Sequence, residues 1–286
     1  HAVALEVGRP VGELLAVAAA ILQDPTLAAP GELPGVWPGL LLGDPGRRVF
    51  AQLTRQRLGG ESRALRRTGY YVMAGAPGDA LLLDGGDAPA LGDASVLGYE
   101  LSLGGSPLIV HGGFDPDDGS AWHGWYRSAE AHNLPRLLGR GAPPTVVPAV
   151  TDGTWIVRDG LVYYAGSREN VAPAVAHRRR IICAPGEFWI VCDQIWGEGS
   201  RGVESLVHLH PDVDVRGFCQ GRPSLHLERH GKAVAAMVFA GSASVSLVTG
   251  VEEDGLRQGW YATPDCARRP APTVVVRTDG PLPVVM

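Results

Sequence analysis

From Gly69 to its C-terminus the chain is cut into short apolar runs by glycine, proline and aspartate, and this punctuation constrains the fold more than any other feature. YYVMAG, ALLLDGG, LGYELSL, PLIVHGG, TWIVRDG and LVYYAG follow one another, then FWIVCDQIW, SLVHLHP, AVAAMVFAG, SVSLVTG and TVVVRT. Runs this short, bounded by turn-forming residues, read as strands. The eleven of them predict a mainly β protein built as a large antiparallel β-sandwich. With 39 glycines and 23 prolines, the chain has the residues such a number of turns requires. No internal repeat of the ~20–50-residue kind is present.

Ahead of the strands the pattern is helical. Val11 to Leu22 (VGELLAVAAAIL) is rich in Ala and Leu, with Pro10 suited to its first turn and Asp24-Pro25 to its end. Pro30 to Pro38 reads as a loop, and Arg47 to Leu58 as a second amphipathic helix. The expected division is a helical segment over residues 1–62 and a β domain over 63–286. Because the sequence opens at His1 inside a helical pattern, it reads as a piece of a longer protein, with any leader out of view.

Composition narrows the partners. A net charge of −5, with basic residues clustered only at Arg178, Arg179 and Arg180, gives no basis for nucleic-acid binding. No apolar run reaches the ~18 residues of a membrane-spanning helix. Cys183, Cys192, Cys219 and Cys266 lack the C-x-x-C spacing of a zinc ribbon. Cys183 and Cys192 flank a turn at Pro185-Gly186, so they are read either as buried free thiols or as a cross-strand disulfide.

The densest signal runs from Leu91 to Asn133, as LGDASVLGYELSLGGSPLIVHGGF and then WYRSAEAHN. It resembles the heparinase II/III family of polysaccharide lyases, whose pattern H-x-H-x-D-x-L-S-F-E-L-(x)-G-x-P-L-L-V-D-x-G is followed by R-S-x-x-A-H-N. TGYYVMAG, LLLDGGDAP, Arg179 to Pro211 and QGWYATPD resemble further family segments in the same order. The resemblance implies an α/α toroid followed by a β-sandwich, with residues 1–62 as the end of that toroid. It also implies β-elimination on an acidic, uronate-containing polysaccharide, and a periplasmic or secreted setting.

The resemblance comes with departures. The family's catalytic histidine falls at Leu91, and leucine cannot transfer a proton. Its metal ligands, His, Asp and His, fall at Asp93, His111 and His132, so two residue types are exchanged while the set of one carboxylate and two imidazoles is kept. Such a set suits a single Zn²⁺ with a fourth ligand or water. A flat hairpin turning at Gly104-Gly105 would pair His111 with Glu100 and leave Asp93 on the order of 20 Å away at ~3.3 Å per residue. The set therefore requires the chain before Val96 to curl back; otherwise Asp93 is a surface residue and the histidines are bonded core residues.

Substrate contacts are expected from Arg127, His123 and Asn133. Arg127 offers a planar fork to a carboxylate, or else a structural ion pair. His123 lies between Trp122 and Trp125, which form either a sugar platform or part of a core. Asn133 either touches sugar or fixes a turn. Asp115-Pro116-Asp117-Asp118-Gly119 lacks EF-hand spacing and reads as a solvated turn. Pro135 is expected to break the strand after Asn133. Two functions stand: a lyase portion of a longer enzyme, which Arg127 and the retained ligand set favour, and a non-catalytic carbohydrate-binding or structural β-sandwich, which Leu91 favours.

Overall fold

The computed structural model describes residues 11–23, 36–52, 60–86, 94–115, 119–138, 150–172, 174–197, 202–217, 224–240, 244–253, 256–263, 267–279 and 284–285. The chain divides into two compact units, His1–Gly59 and Gly60–Met286, a few residues ahead of the break expected after residue 62.

In the first unit, Val11–Leu22 is helical at the bounds its composition predicts. Val36–Gln52 is a second helix, broken at Gly43 (φ 60°). Ala19, Ala20 and Phe50 form a small core there with Leu42 and Val49. The expected loop through Pro38 is corrected, because Pro38 stands in the first helical turn, where its missing N–H has no helical partner to lose. The end of the expected Arg47–Leu58 helix lies outside the described residues.

The second unit is a β-sandwich. Its first sheet is a meander of Arg63–Leu65, Tyr70–Ala74, Ala80–Asp84, Tyr99–Leu103 and Ser106–Ile109. The second runs Thr151–Arg158, Leu161–Ala172, Val175–Ala184 and Phe188–Gly197, with Val284–Val285 on its far edge. A third has the order Ser244–Thr249, Pro272–Thr278, Val203–His208, Pro135–Leu137. All eleven strands expected from the sequence are present, at somewhat different bounds. No described helix is long and apolar enough to cross a membrane.

Alternation sorts the side chains. Leu81 and Leu83 are fully buried while Leu82 between them is 40 % exposed, as the two-residue period of a half-buried strand requires. Tyr71, Met73, Leu81 and Leu83 of the first sheet meet Val162, Tyr164, Ile181 and Cys183 of the second and Val207, Val274 and Val276 of the third. The Tyr71 ring stands 4.7 Å from Tyr164 and 5.4 Å from Trp155. Burying each such large side chain contributes ~1.5–3 kcal/mol.

Two local expectations resolve here. Pro135 does not break its strand, since Pro135–Leu137 pairs with Val203–Ser205 at a sheet edge, with the proline as first residue. An edge position needs no ladder bond on its open side, so the absent N–H is tolerated. Cys183 lies opposite Trp189 and Cys192 opposite Arg180, and both thiols are free. Cys219 and Cys266 lie outside the described residues.

Candidate functional site

The glycine pair at the first sheet's last hairpin does what its position predicts. Gly104 (φ 57°) and Gly105 (φ 77°) are both left-handed, the conformation a two-residue hairpin loop needs, and Leu103 pairs with Ser106 across it. A register shift follows between Leu101 and Ser102, so Leu101 faces Ile109. His111 comes after the end of this strand. Its backbone N–H donates to the Glu100 carboxylate at 2.9 Å, so the expected link between these two residues runs through a side chain rather than the strand ladder.

His132 arrives from the other motif segment. Ser128 caps the short 3₁₀ turn Ala129–Ala131, and His132 follows at its end. The His132 Nδ1 lies 2.7 Å from the Ser128 carbonyl, so it carries the proton and donates, and Nε2 carries the lone pair. The rings of His111 and His132 meet edge to face, with centroids 4.6 Å apart. Gly98 makes room for them: a Cβ there would stand 2.6 Å from the Ser95 carbonyl and 3.0 Å from His111 Nε2. Burial, reinforced by His132, His208 and Arg179, holds the His111 imidazole well below its usual pKa. Its Nε2 is buried without a hydrogen-bond partner.

That orphan nitrogen, beside an imidazole oriented by a carbonyl, fits a cation site. Asp93 and Leu91 lie outside the described residues. Among the described residues no three His, Cys, Asp or Glu groups converge on one point.

A third imidazole, which the sequence reading did not join to the other two, lies close by. His208 is 2 % exposed, its Nε2 is 3.0 Å from Gln258 Nε2, and burial pushes its pKa down to about 3. His210, just beyond the end of the strand Val203–His208, is partly exposed. Asn133 joins the elements. Its amide donates to the carbonyls of Tyr99 (2.8 Å) and Val110 (2.9 Å), and its oxygen accepts from the His208 backbone N–H at 2.7 Å. With 0 % exposure, it ties together three segments distant in sequence and does not fix a local turn.

Arg127 and His123 form the partly exposed side. Both belong to the short helix Ala121–Tyr126 and its cap, started by Ser120, whose hydroxyl accepts from the His123 N–H. His123 Nδ1 donates to the Asp115 carbonyl at 2.7 Å, leaving Nε2 as an acceptor 3.4 Å from Arg127 Nη1. The two-tryptophan platform is not formed. Trp125 is 6 % exposed, and Trp122 packs edge-on against it and against Trp260, with Arg257 and Arg268 at its ring. Asp115 accepts from Ser120 and faces Arg268 rather than standing in an open turn; residues 116–118 lie outside the described residues.

Comparison with known proteins places this geometry in context. The model of the family described as "Heparinase II/III-like, C-terminal" matches residues 57–283. The heparan sulfate lyase HepC from Pedobacter heparinus superposes with a TM-score of 0.68 at 13% identity, covering 96% of this chain and 40% of that one. A structure titled heparinase III gives 0.65 at 11% identity, covering 94% and 40%. The heparinase III BT4657 gene product gives 0.60 at 13% identity, covering 84% and 37%. The chain thus spans about two fifths of the length of these relatives. At such identities the likeness shows the fold. No curated protein matches the sequence.

Proposed function

Since this chain belongs to the heparinase II/III-like, C-terminal family, we propose that it forms the β-sandwich portion of a polysaccharide lyase acting on an acidic, uronate-containing polymer. The observation that carries this reading is the meeting of His111 and His132 at 4.6 Å. Two residues from separate motif segments, matched to ligand positions of the family, meet edge to face.

β-Elimination needs a group that neutralises the uronate carboxylate, a base for the C5 proton and an acid for the leaving oxygen. Arg127 suits the first task, since its planar fork matches a carboxylate. His123, with its lone pair directed toward Arg127, stands beside that group. Tyr99 and Tyr126 are poor proton carriers: both are buried, and burial raises each phenol to about 12. Asp93, His111 and His132 would hold a Zn²⁺-type ion, which supplies a fixed positive charge when bound. Asn133 ties the segments of Tyr99, Val110 and His208 together beside the two histidines. With leucine at position 91, proton transfer falls to a substitute on this chain or to groups elsewhere in a longer parent. A secreted or periplasmic location accords with a polymeric substrate.

The second reading, a non-catalytic carbohydrate-binding or structural module, draws on Leu91 and on the burial of the two phenols. Incubation with heparin-like and alginate-like polymers separates the two. Unsaturated uronate absorbance supports the lyase, binding without absorbance supports the module, and neither binding nor cleavage overturns the carbohydrate role.

A further inference from the structure

The second sheet is closed on one edge and open on the other. Val284–Val285 pairs with Phe188–Gly197 on the closed side, while among the described residues no strand lies beside the outer edge of Thr151–Arg158. This open strand is exposed at every position except Trp155, whose ring packs on Tyr71. Natural sheet edges are blunted by bulges, prolines, charges or brevity. A bulge between Thr151 and Thr154 does this at the start of the strand. Residues 154–158 beyond it hold no proline and a single charge, Arg158, which is drawn to its own neighbour Asp159 at 3.1 Å.

Two apolar neighbours on this strand are exposed on opposite faces. Ile156, 48 % exposed, faces outward and heads the row Ile156, Tyr163, Ile182, Ile190 across four paired strands. Val157, 58 % exposed, lies on the side of Trp155, the side of the core. A molecule laid on the outer face would cover Ile156 and leave Val157 bare. A strand added at the edge covers both. The backbone is poised for one: Asp159 (φ 51°) and Gly160 (φ 76°) form a two-residue loop, so Arg158 and Leu161 exchange ladder bonds and the bonding alternates from there. Thr154 and Ile156 therefore turn their N–H and C=O toward Leu161–Ala172, and Trp155 and Val157 turn theirs toward the open edge.

We propose that the occupant of this edge is a second copy of the chain, paired antiparallel along residues 154–158 about a two-fold axis at Ile156. The strand is complementary to itself in that register. Trp155 and the partner's Val157 exchange backbone hydrogen bonds on each side of the axis, and each exposed valine gains a tryptophan beside it. The two Ile156 side chains meet at the axis as a non-hydrogen-bonded pair, with Cα atoms ~4.5 Å apart. The outward apolar row then runs without a break from one protomer into its partner. Arg158 stands opposite the partner's Thr154, so the two like charges lie at opposite ends of the ladder. A two-fold pairing also closes on itself and propagates no further. Strands this short bury less than the ~1,200 Å² of a standard interface, so the dimer forms in a concentration-dependent equilibrium. It holds whether or not the chain handles a polysaccharide.

The test is analytical ultracentrifugation of the 286-residue protein between ~1 μM and ~1 mM, where weak association is read. The wild-type chain is expected to pass from monomer toward dimer. Val157→Pro removes an N–H that points out of the sheet and breaks no bond to Leu161–Ala172, and Ile156→Lys sets two ammonium groups face to face at the axis. Each is expected to weaken dimerisation at least ~tenfold while keeping a near-wild-type melt. Should Val157→Pro fail to fold, Ile156→Lys, at an exposed side chain, carries the comparison. Mild oxidation reads the register: Ile156→Cys is expected to give a disulfide-linked dimer, since its pair falls within the ~4.4–6.8 Å that a disulfide spans. Thr154→Cys, opposite the partner's Arg158, and the wild-type chain with its native thiols are expected to give none. A wild-type protein that stays monomeric throughout overturns the proposal and leaves the edge to a strand of another polypeptide. Dimers that persist in both edge variants, or equal cross-linking by Thr154→Cys and Ile156→Cys, overturn it as well.

Discussion

The His177 ring and the Asp193 carboxylate meet at 2.8 Å with both side chains buried, and the imidazole is neutral there because its other nitrogen accepts from Arg168. Burial pushes the His177 pKa down to about 4 against the lift from Asp193, and pushes that of His208 down to about 3. An unfolded imidazole titrates near ~6.5, so between these values the unfolded chain binds more protons than the folded one. The stability is therefore present above about pH 6.5 and is lost as pH falls toward about 4. For His177 the loss is on the order of 3 kcal/mol. Asp193 extends the slope to lower pH: burial alone would raise its carboxyl, but Arg179 and His177 outweigh this and hold it well below the usual range. Urea midpoints measured between pH 7 and 4 should fall steadily, and a flat profile would contradict the buried, neutral assignment.

Asn133→Ala removes both donors to Tyr99 and Val110 and the acceptor for the His208 N–H. Each buried polar group left without a partner costs ~1–3 kcal/mol, so a total loss of at least about 3 kcal/mol is expected. Equilibrium urea unfolding measures it. A change under about 1 kcal/mol would show that water replaces the amide.

His111→Ala and His132→Ala should each weaken Zn²⁺ binding by at least about tenfold, the ~1.4 kcal/mol scale that one lost contact readily exceeds. His123→Ala, whose ring contacts Asp115 and Arg127 instead, should leave it unchanged. Calorimetric titration distinguishes these outcomes. Equal binding by all three variants would move the cation elsewhere.

Arg127→Ala should weaken the binding of a uronate oligosaccharide by about tenfold or more, since a charge-assisted hydrogen bond contributes ~1.5–3 kcal/mol. Arg127→Lys should recover only part of this, because the ammonium lacks the fork. Affinity electrophoresis in acidic-polymer gels reports both. Full recovery by lysine would reduce the role of Arg127 to simple charge.

Leu91→His, placed in a longer parent that supplies the toroid, should raise eliminative cleavage, because a positioned proton carrier contributes ~10²–10⁴-fold. The absorbance of unsaturated uronate is the readout. No gain would indicate that the leucine does not occupy a proton-transfer position.

Much of the sandwich was legible because its strands alternate cleanly between core and solvent. Leu81, Leu82 and Leu83 show this well: the turn residues around them mark where the strand starts and stops, and the period does the rest. Val175–Ala184 was harder to read. It carries His177 and Arg179 inward at positions where the period predicts apolar residues, so a strand of the second sheet looks polar in sequence. The short hairpins Val251–Glu253 with Leu256–Gln258 and Trp260–Ala262 with Arg268–Pro270 were missed because three residues give no period to detect. In the site, motif spacing pointed to His111 and His132, whereas His208 depends on long-range pairing that Asn133 enforces across 75 residues. Its signal was the HLHP run, legible only through the family likeness. The tryptophans beside His123 show the converse limit, since nothing local distinguishes a ring stacked in a cluster from one offered to a sugar.

The extra residue Leu108, opposite the Leu101/Ser102 step, has a consequence for how this hairpin tolerates changes in length. Strand side chains alternate with a strict two-step phase, and a bulge resets that phase by one. Between this reset and His111 the chain has no second place to absorb an odd residue. One insertion between Pro107 and Val110 would turn His111 toward the opposite face while leaving every residue of the motif in the sequence. Insertions at the open tip, where a Cβ added to Gly104 or to Gly105 would meet nothing within 4 Å, would leave that phase untouched. Along this stretch, parity of length matters as much as residue identity.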